Sequence, residues 1–146
     1  MRTIKFRGKD VETGEWIYGD LFQRIGYYPE IIVSYPNDDG KIAYKGVTVK
    51  PGSVCQFTGL LDKNGKEIYE GDIIHLKWNN YDKDFGIVKW HTDGYFYIDD
   101  NFGKFPKDKT NPIGNFFDFI RRDFKGIEAS ISGNIHDNPD LLKNND

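Results

Sequence analysis

The stretch Thr58–Trp78, TGLLDKNGKEIYEGDIIHLKW, decides the fold. Asn64-Gly65 is a strong short hairpin signal, because both central residues of a type I′ turn need positive φ. Leu60 and Leu61 precede that turn, and Ile68 and Tyr69 follow it, so the stretch reads as two strands joined tightly. At Gly71-Asp72 the glycine relieves the backbone and the aspartate offers an oxygen to a nearby backbone N–H. Ile73, Leu76 and Trp78 then open an apolar series whose phase slips near His75. A β-bulge, which adds one residue to the alternation, explains such a slip. The stretch specifies turns and strands and contains no catalytic motif.

Upstream, TIKFRGKD sets Ile4 and Phe6 against Lys5 and Arg7, the period of a half-buried strand. Turn residues VETGE separate it from EWIYGDLFQR, so the pair reads as a hairpin. EIIVSY and KIAYKGVTV are two further strands around the turn formers PNDDG. Pro51-Gly52 cannot sit inside a paired central strand, which places a lobe boundary there: 1–51 and 52–146. Downstream, WNNYDKD reads as a polar loop, and FGIVKW and YFYID as a hairpin across Asp93-Gly94. In PIGNFFDFIRRDFKG, residues Ile113, Phe116, Phe117, Ile120 and Phe124 share one helical face, with Pro112 at the first turn and Gly126 past the end. GIEASISGNI returns to strand. HDNPDLL ends in a helical turn with Asn138 as N-cap and Pro139 first. The fold class expected is mainly β, or α+β, with an N-terminal β lobe and a small five-strand barrel lobe carrying one short helix.

Composition supports that class. Aromatics make up 16% of the 146 residues, and rings favour the pleated surface of strands. The net charge of -3 lacks the global basic surplus common among nucleic-acid domains, while leaving a local stripe open. Cys55 is the single cysteine, so neither an intrachain disulfide nor a cysteine-based zinc site forms within one chain. That fits a reducing cytoplasm. No apolar run approaches the ~20 residues that span a bilayer.

The residues able to do chemistry are scattered. His75, His91 and His136 have no compact metal-ligand spacing. DKNGKE fails as a calcium loop, because its glycine follows Asn64 directly and no Glu closes the loop. Phosphate-cradling glycine patterns are absent. Ser34, Ser53, Ser130 and Ser132 lack a neighbouring histidine and acid in sequence, and Cys55 lies in an apolar strand. No catalytic residue, cofactor or metal follows. The aromatic set Trp78, Tyr81, Phe85, Trp90, Tyr95, Phe96 and Tyr97 is mostly core. Rings on the solvent phase of the strands, such as Tyr95 and Tyr97 if Phe96 points inward, are candidates for binding. With Lys89, and with Phe117 on the helix face, the candidate binding residues are Trp78, Tyr81, Lys89, Tyr95, Tyr97 and Phe117.

Three stretches carry a resemblance: IKFRGKDVETGEW at the start, VCQFTGLLDKNGKEIYEGDII in the centre and ISGNIHDNPDLL at the close. Together they resemble the YopX family of phage and prophage proteins of Gram-positive bacteria. The stretch from about Gly26 to Lys45 and the one from Phe102 to Lys125 match no pattern of the family. The resemblance implies a β-rich fold whose second half is an SH3-like barrel, a phage setting and self-association. It brings no activity and no catalytic residues. The expectation is a non-enzymatic cytoplasmic accessory protein that binds another protein or itself as a homo-oligomer. The alternative is a small-barrel protein that binds nucleic acid.

Overall fold

The structure is a computed structural model, and it describes residues 1–99 and 128–142. The protein is mainly β. Among the described residues, ten strands form two antiparallel sheets. The chain divides into two compact units, Met1–Gly59 and Leu60–Asp146.

In the first unit, β1 (Phe6–Lys9), β2 (Trp16–Phe22), β3 (Glu30–Pro36), β4 (Ile42–Thr48) and the first part of β5 (Cys55–Leu61) lie in the order β4-β3-β2-β1-β5; the short β6 (Glu67–Tyr69) belongs to the second unit. The alternation seen in sequence sets the faces. Along β2, Tyr18, Asp20 and Phe22 are exposed while Gly19 and Leu21 are half-buried. Ile31 and Val49 are fully buried. Gly19 lets β3 approach: a Cβ there would stand 2.1 Å from the Ile32 carbonyl oxygen. The Pro51-Gly52 step lies in a 3-10 turn, Pro51–Ser53. Buried Ser53 Oγ accepts from the Lys9 N–H at 2.8 Å and donates to the Lys50 carbonyl at 2.6 Å. It thereby fixes the turn against β1.

The second unit holds β7 (Asp72–Trp78), β8 (Tyr81–His91), β9 (Tyr95–Asp99) and β10 (Glu128–Asn134), in the order β10-β7-β8-β9. Its core is Ile68, Ile74, Leu76, Val88, Ile98 and Ala129, with Leu60, Tyr81, Phe96 and Ile131 packed on it. Ile73 and Ile87 pair on the opposite face and are buried too. No extra residue lies in β7: its apolar series changes phase because Ile73 is buried on one face and Ile74 and Leu76 on the other, and the ladder break beside His75 comes from its partner. The extra residue, Phe85, sits on the facing strand: Ile74 faces Gly86 and His75 faces Asp84. A second break puts Ser132 out of register on β10.

Several expectations are corrected. WNNYDKD is not a loop: only Asn79 and Asn80 turn, with Asn79 at φ 51, and the rest is strand. Its aspartates alternate onto a polar face, so the stretch looks like loop by composition alone. The Asn64-Gly65 turn is not a two-residue type I′ turn, because only Gly65 takes positive φ. Asp62 N–H donates to the Lys66 carbonyl at 2.8 Å and Gly65 N–H to the Asp62 carbonyl at 3.0 Å. That is a three-residue loop with a left-handed glycine. The C-terminal turn, Pro139–Leu142, is 3-10, and Asn138 Oδ1 reaches back to the Asn134 N–H at 3.2 Å instead of capping it. Among the described residues no closed barrel forms; the second sheet ends at β9 and β10. The helix expected over residues 112–125 lies outside the described residues.

Candidate binding faces

The polar side chains of the central and closing stretches hold turns. Asp62 is buried, and its carboxylate accepts three backbone N–H groups: Asn64 at 2.9 Å and Lys66 at 2.9 Å on one oxygen, Ile131 at 3.0 Å on the other. One side chain thus closes the loop and ties it to β10. Asp72, 1% exposed, accepts from the Tyr69 N–H at 2.8 Å. Asn134 Oδ1 accepts from His136 and Asp137, and its amide donates to the Asp137 carboxylate. Gly71, at φ 80, donates to the Val88 carbonyl and accepts from the Ile135 N–H.

On the outer face of the second sheet, His75 lies between two carboxylates, with Nε2 2.7 Å from Asp82 and Nδ1 3.2 Å from Asp84. An imidazole with one N–H serves one of them; the imidazolium serves both. The hydrogen bond from His75 holds the Asp82 carboxyl below the usual carboxylate range. Lys63, 3.0 Å away, does the same to Glu128. Ser130 faces His75 across the ladder and Asp84 faces it from the other side. This row resembles a catalytic triad in composition only. A base must offer a nitrogen to the nucleophile, and the ring nitrogen not on Asp84 is on Asp82. Among the described residues no three of His, Cys, Asp and Glu converge on a metal-sized site.

Further along this face, Lys89 faces Tyr97 and His91 faces Tyr95. His91 stacks on Tyr95 at 4.6 Å and 8°, and meets Tyr97 edge-on at 5.6 Å. Lys89 Nζ pairs with the Asp99 carboxylate at 2.5 Å. The structure therefore brings together Lys89, Tyr95 and Tyr97, with Phe96 turned to the core as the alternation requires. Tyr81 does not join them: it packs on the core, with Lys83 Nζ 5.2 Å from its ring centroid. Trp78 pairs with Tyr81 through the backbone. The Trp78 side chain and Phe117 lie outside the described residues.

A second face, in the first unit, was not singled out in the sequence. Arg7 faces Tyr18 and Lys9 faces Trp16 across β1 and β2. Arg7 lies 4.3 Å from the Trp16 ring centroid, Lys9 5.1 Å from the same ring, and Lys5 5.9 Å from Tyr18. Past the end of β2, Arg24 sits 4.4 Å from Tyr27 and 5.6 Å from Phe22. Tyr18 is 44% exposed, Phe22 46% and Tyr44 69%. The available signal was the alternation of cations in KFRGK and of rings in EWIYGDLF. Each half reads as an ordinary strand until the register places them side by side.

Residues 5–143 match the family model described as YopX protein. No curated protein matches the chain. Among the described residues, no helix is long and apolar enough to cross a membrane.

Proposed function

The chain belongs to the YopX family, and from that premise we propose that it is a non-enzymatic accessory protein of phage and prophage that works by binding. The single observation that carries this reading is where the rings are. Tyr18, Phe22 and Tyr44 are exposed on one sheet, outside the core, whereas a ring used for stability is normally covered. The carboxylates and amides of the family-like stretches support the same reading, since they are occupied with turns and strand ends. The site of action is the host cytoplasm, in keeping with a single cysteine that is buried and reduced.

The sequence favours a protein partner or a second copy of the chain. Light scattering on a size-exclusion column, with affinity recovery from host lysate, tests this against the variant Tyr18→Ala/Phe22→Ala/Tyr44→Ala. The wild type is expected to run above monomer mass or to retain a partner, and the variant to lose that behaviour. A strict monomer that retains nothing overturns the proposal.

A further inference from the structure

We infer that the ring and cation face of the first unit is a platform for single-stranded nucleic acid, an inference that rests on the binding reading and names its partner. Three cations with exposed or half-exposed side chains, Lys5, Lys9 and Arg24, border the rings Trp16, Tyr18 and Phe22. Among the described residues, the carboxylates that the register places on this face are Asp20, which precedes Phe22 by two residues, and Glu30, which lies 3.7 Å from Arg24. The chain as a whole carries -3, so this face runs against the net charge of the molecule. That local charge complements a phosphate backbone.

The geometry favours a single strand over a duplex. Rings two residues apart on a strand stand about 6.6 Å apart. Trp16 and Tyr18 have this spacing, and the exposed Tyr18 and Phe22 are four residues apart on the same face. A sheet that stacks two or three bases on its rings while cations follow the backbone is a recurring mode of single-strand recognition. Unpaired bases present their flat faces to such rings; paired bases in a duplex do not. A protein partner would find the rings equally attractive; the cations interleaved with them are what favour an anionic strand.

The probe is a fluorescently labelled oligothymidine of about 20 nucleotides, titrated with the full chain and followed by anisotropy. Three neutralised phosphates on a single strand predict roughly a hundredfold loss of affinity over a tenfold rise in salt. Tyr18→Ala is expected to weaken binding by about fivefold or more, the loss of one stacked base. Lys5→Glu/Lys9→Glu is expected to weaken it further and to flatten the salt dependence. Lys77→Glu, at an exposed position on the other sheet, leaves it unchanged. Circular dichroism of each variant shows that the fold persists. Equal binding of a duplex of the same length, indifferent to Tyr18, overturns the inference. So does absence of binding at low salt. If in that case the wild type still self-associates and the triple ring variant does not, the face is a protein interface and the binding reading stands. If neither is seen, both fall.

Discussion

Asp62 shows how much one carboxylate can hold. It accepts from Asn64, Lys66 and Ile131 while buried. Removing it strands the Ile131 N–H inside the unit, so Asp62→Ala should lower stability by roughly 2–3 kcal/mol. Asp62→Asn, which keeps one acceptor oxygen, should recover part of this. Urea denaturation measures both, and an alanine variant as stable as wild type would contradict the assignment. Asp82 makes a different prediction, because it lies at the surface. Its carboxyl titrates below the ordinary value, chiefly through the bond from His75. A depressed carboxylate contributes stability above its unfolded-state value and loses it as pH falls through the lowered folded value. Carbon-13 NMR of the Asp82 carboxyl should show a midpoint below the ordinary ~3.9, and His75→Ala should move it up. A wild-type midpoint at the ordinary value would remove His75 as the cause.

At the scale of elements, three hairpin loops share one device. In each, the side chain of the first residue accepts the backbone N–H two positions on, and a glycine three positions on takes positive φ. The pairs are Asn37 with Gly40, Asp62 with Gly65, and His91 with Gly94. Alanine at Gly40, Gly65 or Gly94 should therefore cost about 1–2 kcal/mol each, the left-handed penalty of an L residue. Gly52 has an ordinary φ and open space around it, so Gly52→Ala should stay within about 0.5 kcal/mol of wild type. Similar losses at all four positions would refute the device. The same loops show what the sequence made legible. Glycine after Asn or Asp located these three turns, because those residues tolerate positive φ or offer a short acceptor. Loop length was not legible, since the Asn64-Gly65 pair suits a two-residue turn equally well until Asp62 takes up the loop's N–H groups. The strand over Tyr81–Asp84 was missed for a related reason. Asp82 and Asp84 read as turn formers, and only the facing His75 and Lys77 make them strand residues. Barrel closure was expected from strand count, whereas it depends on which edges meet, and alternation carries no information about that.

For the whole molecule, the question is how exposed rings coexist with a stable fold. The parity of Phe96 with the core made Tyr95 and Tyr97 legible as surface residues. The first-unit face was hidden, because each of its strands looks ordinary until β1 and β2 are set in register. Its cations rest near the rings of Trp16, Tyr18, Phe22 and Tyr27, contacts worth about 0.5–1 kcal/mol each where exposed. These contacts shield part of the apolar surface that would otherwise favour association. Tyr44, 69% exposed, contributes almost nothing to the core. Core and face are therefore separable. Tyr18→Ala/Tyr44→Ala should shift the melting temperature only slightly, by an amount equivalent to about 1 kcal/mol or less. Ile31→Ala in the same unit, at a position with no solvent exposure, should cost about 2–5 kcal/mol. Differential scanning fluorimetry compares the two variants directly. Static light scattering adds a second reading, in which the ring variant should tolerate higher concentration than wild type before it associates. A ring variant that unfolds as readily as Ile31→Ala would mean that these rings serve the fold, and the face would lose its standing as a surface kept for a partner.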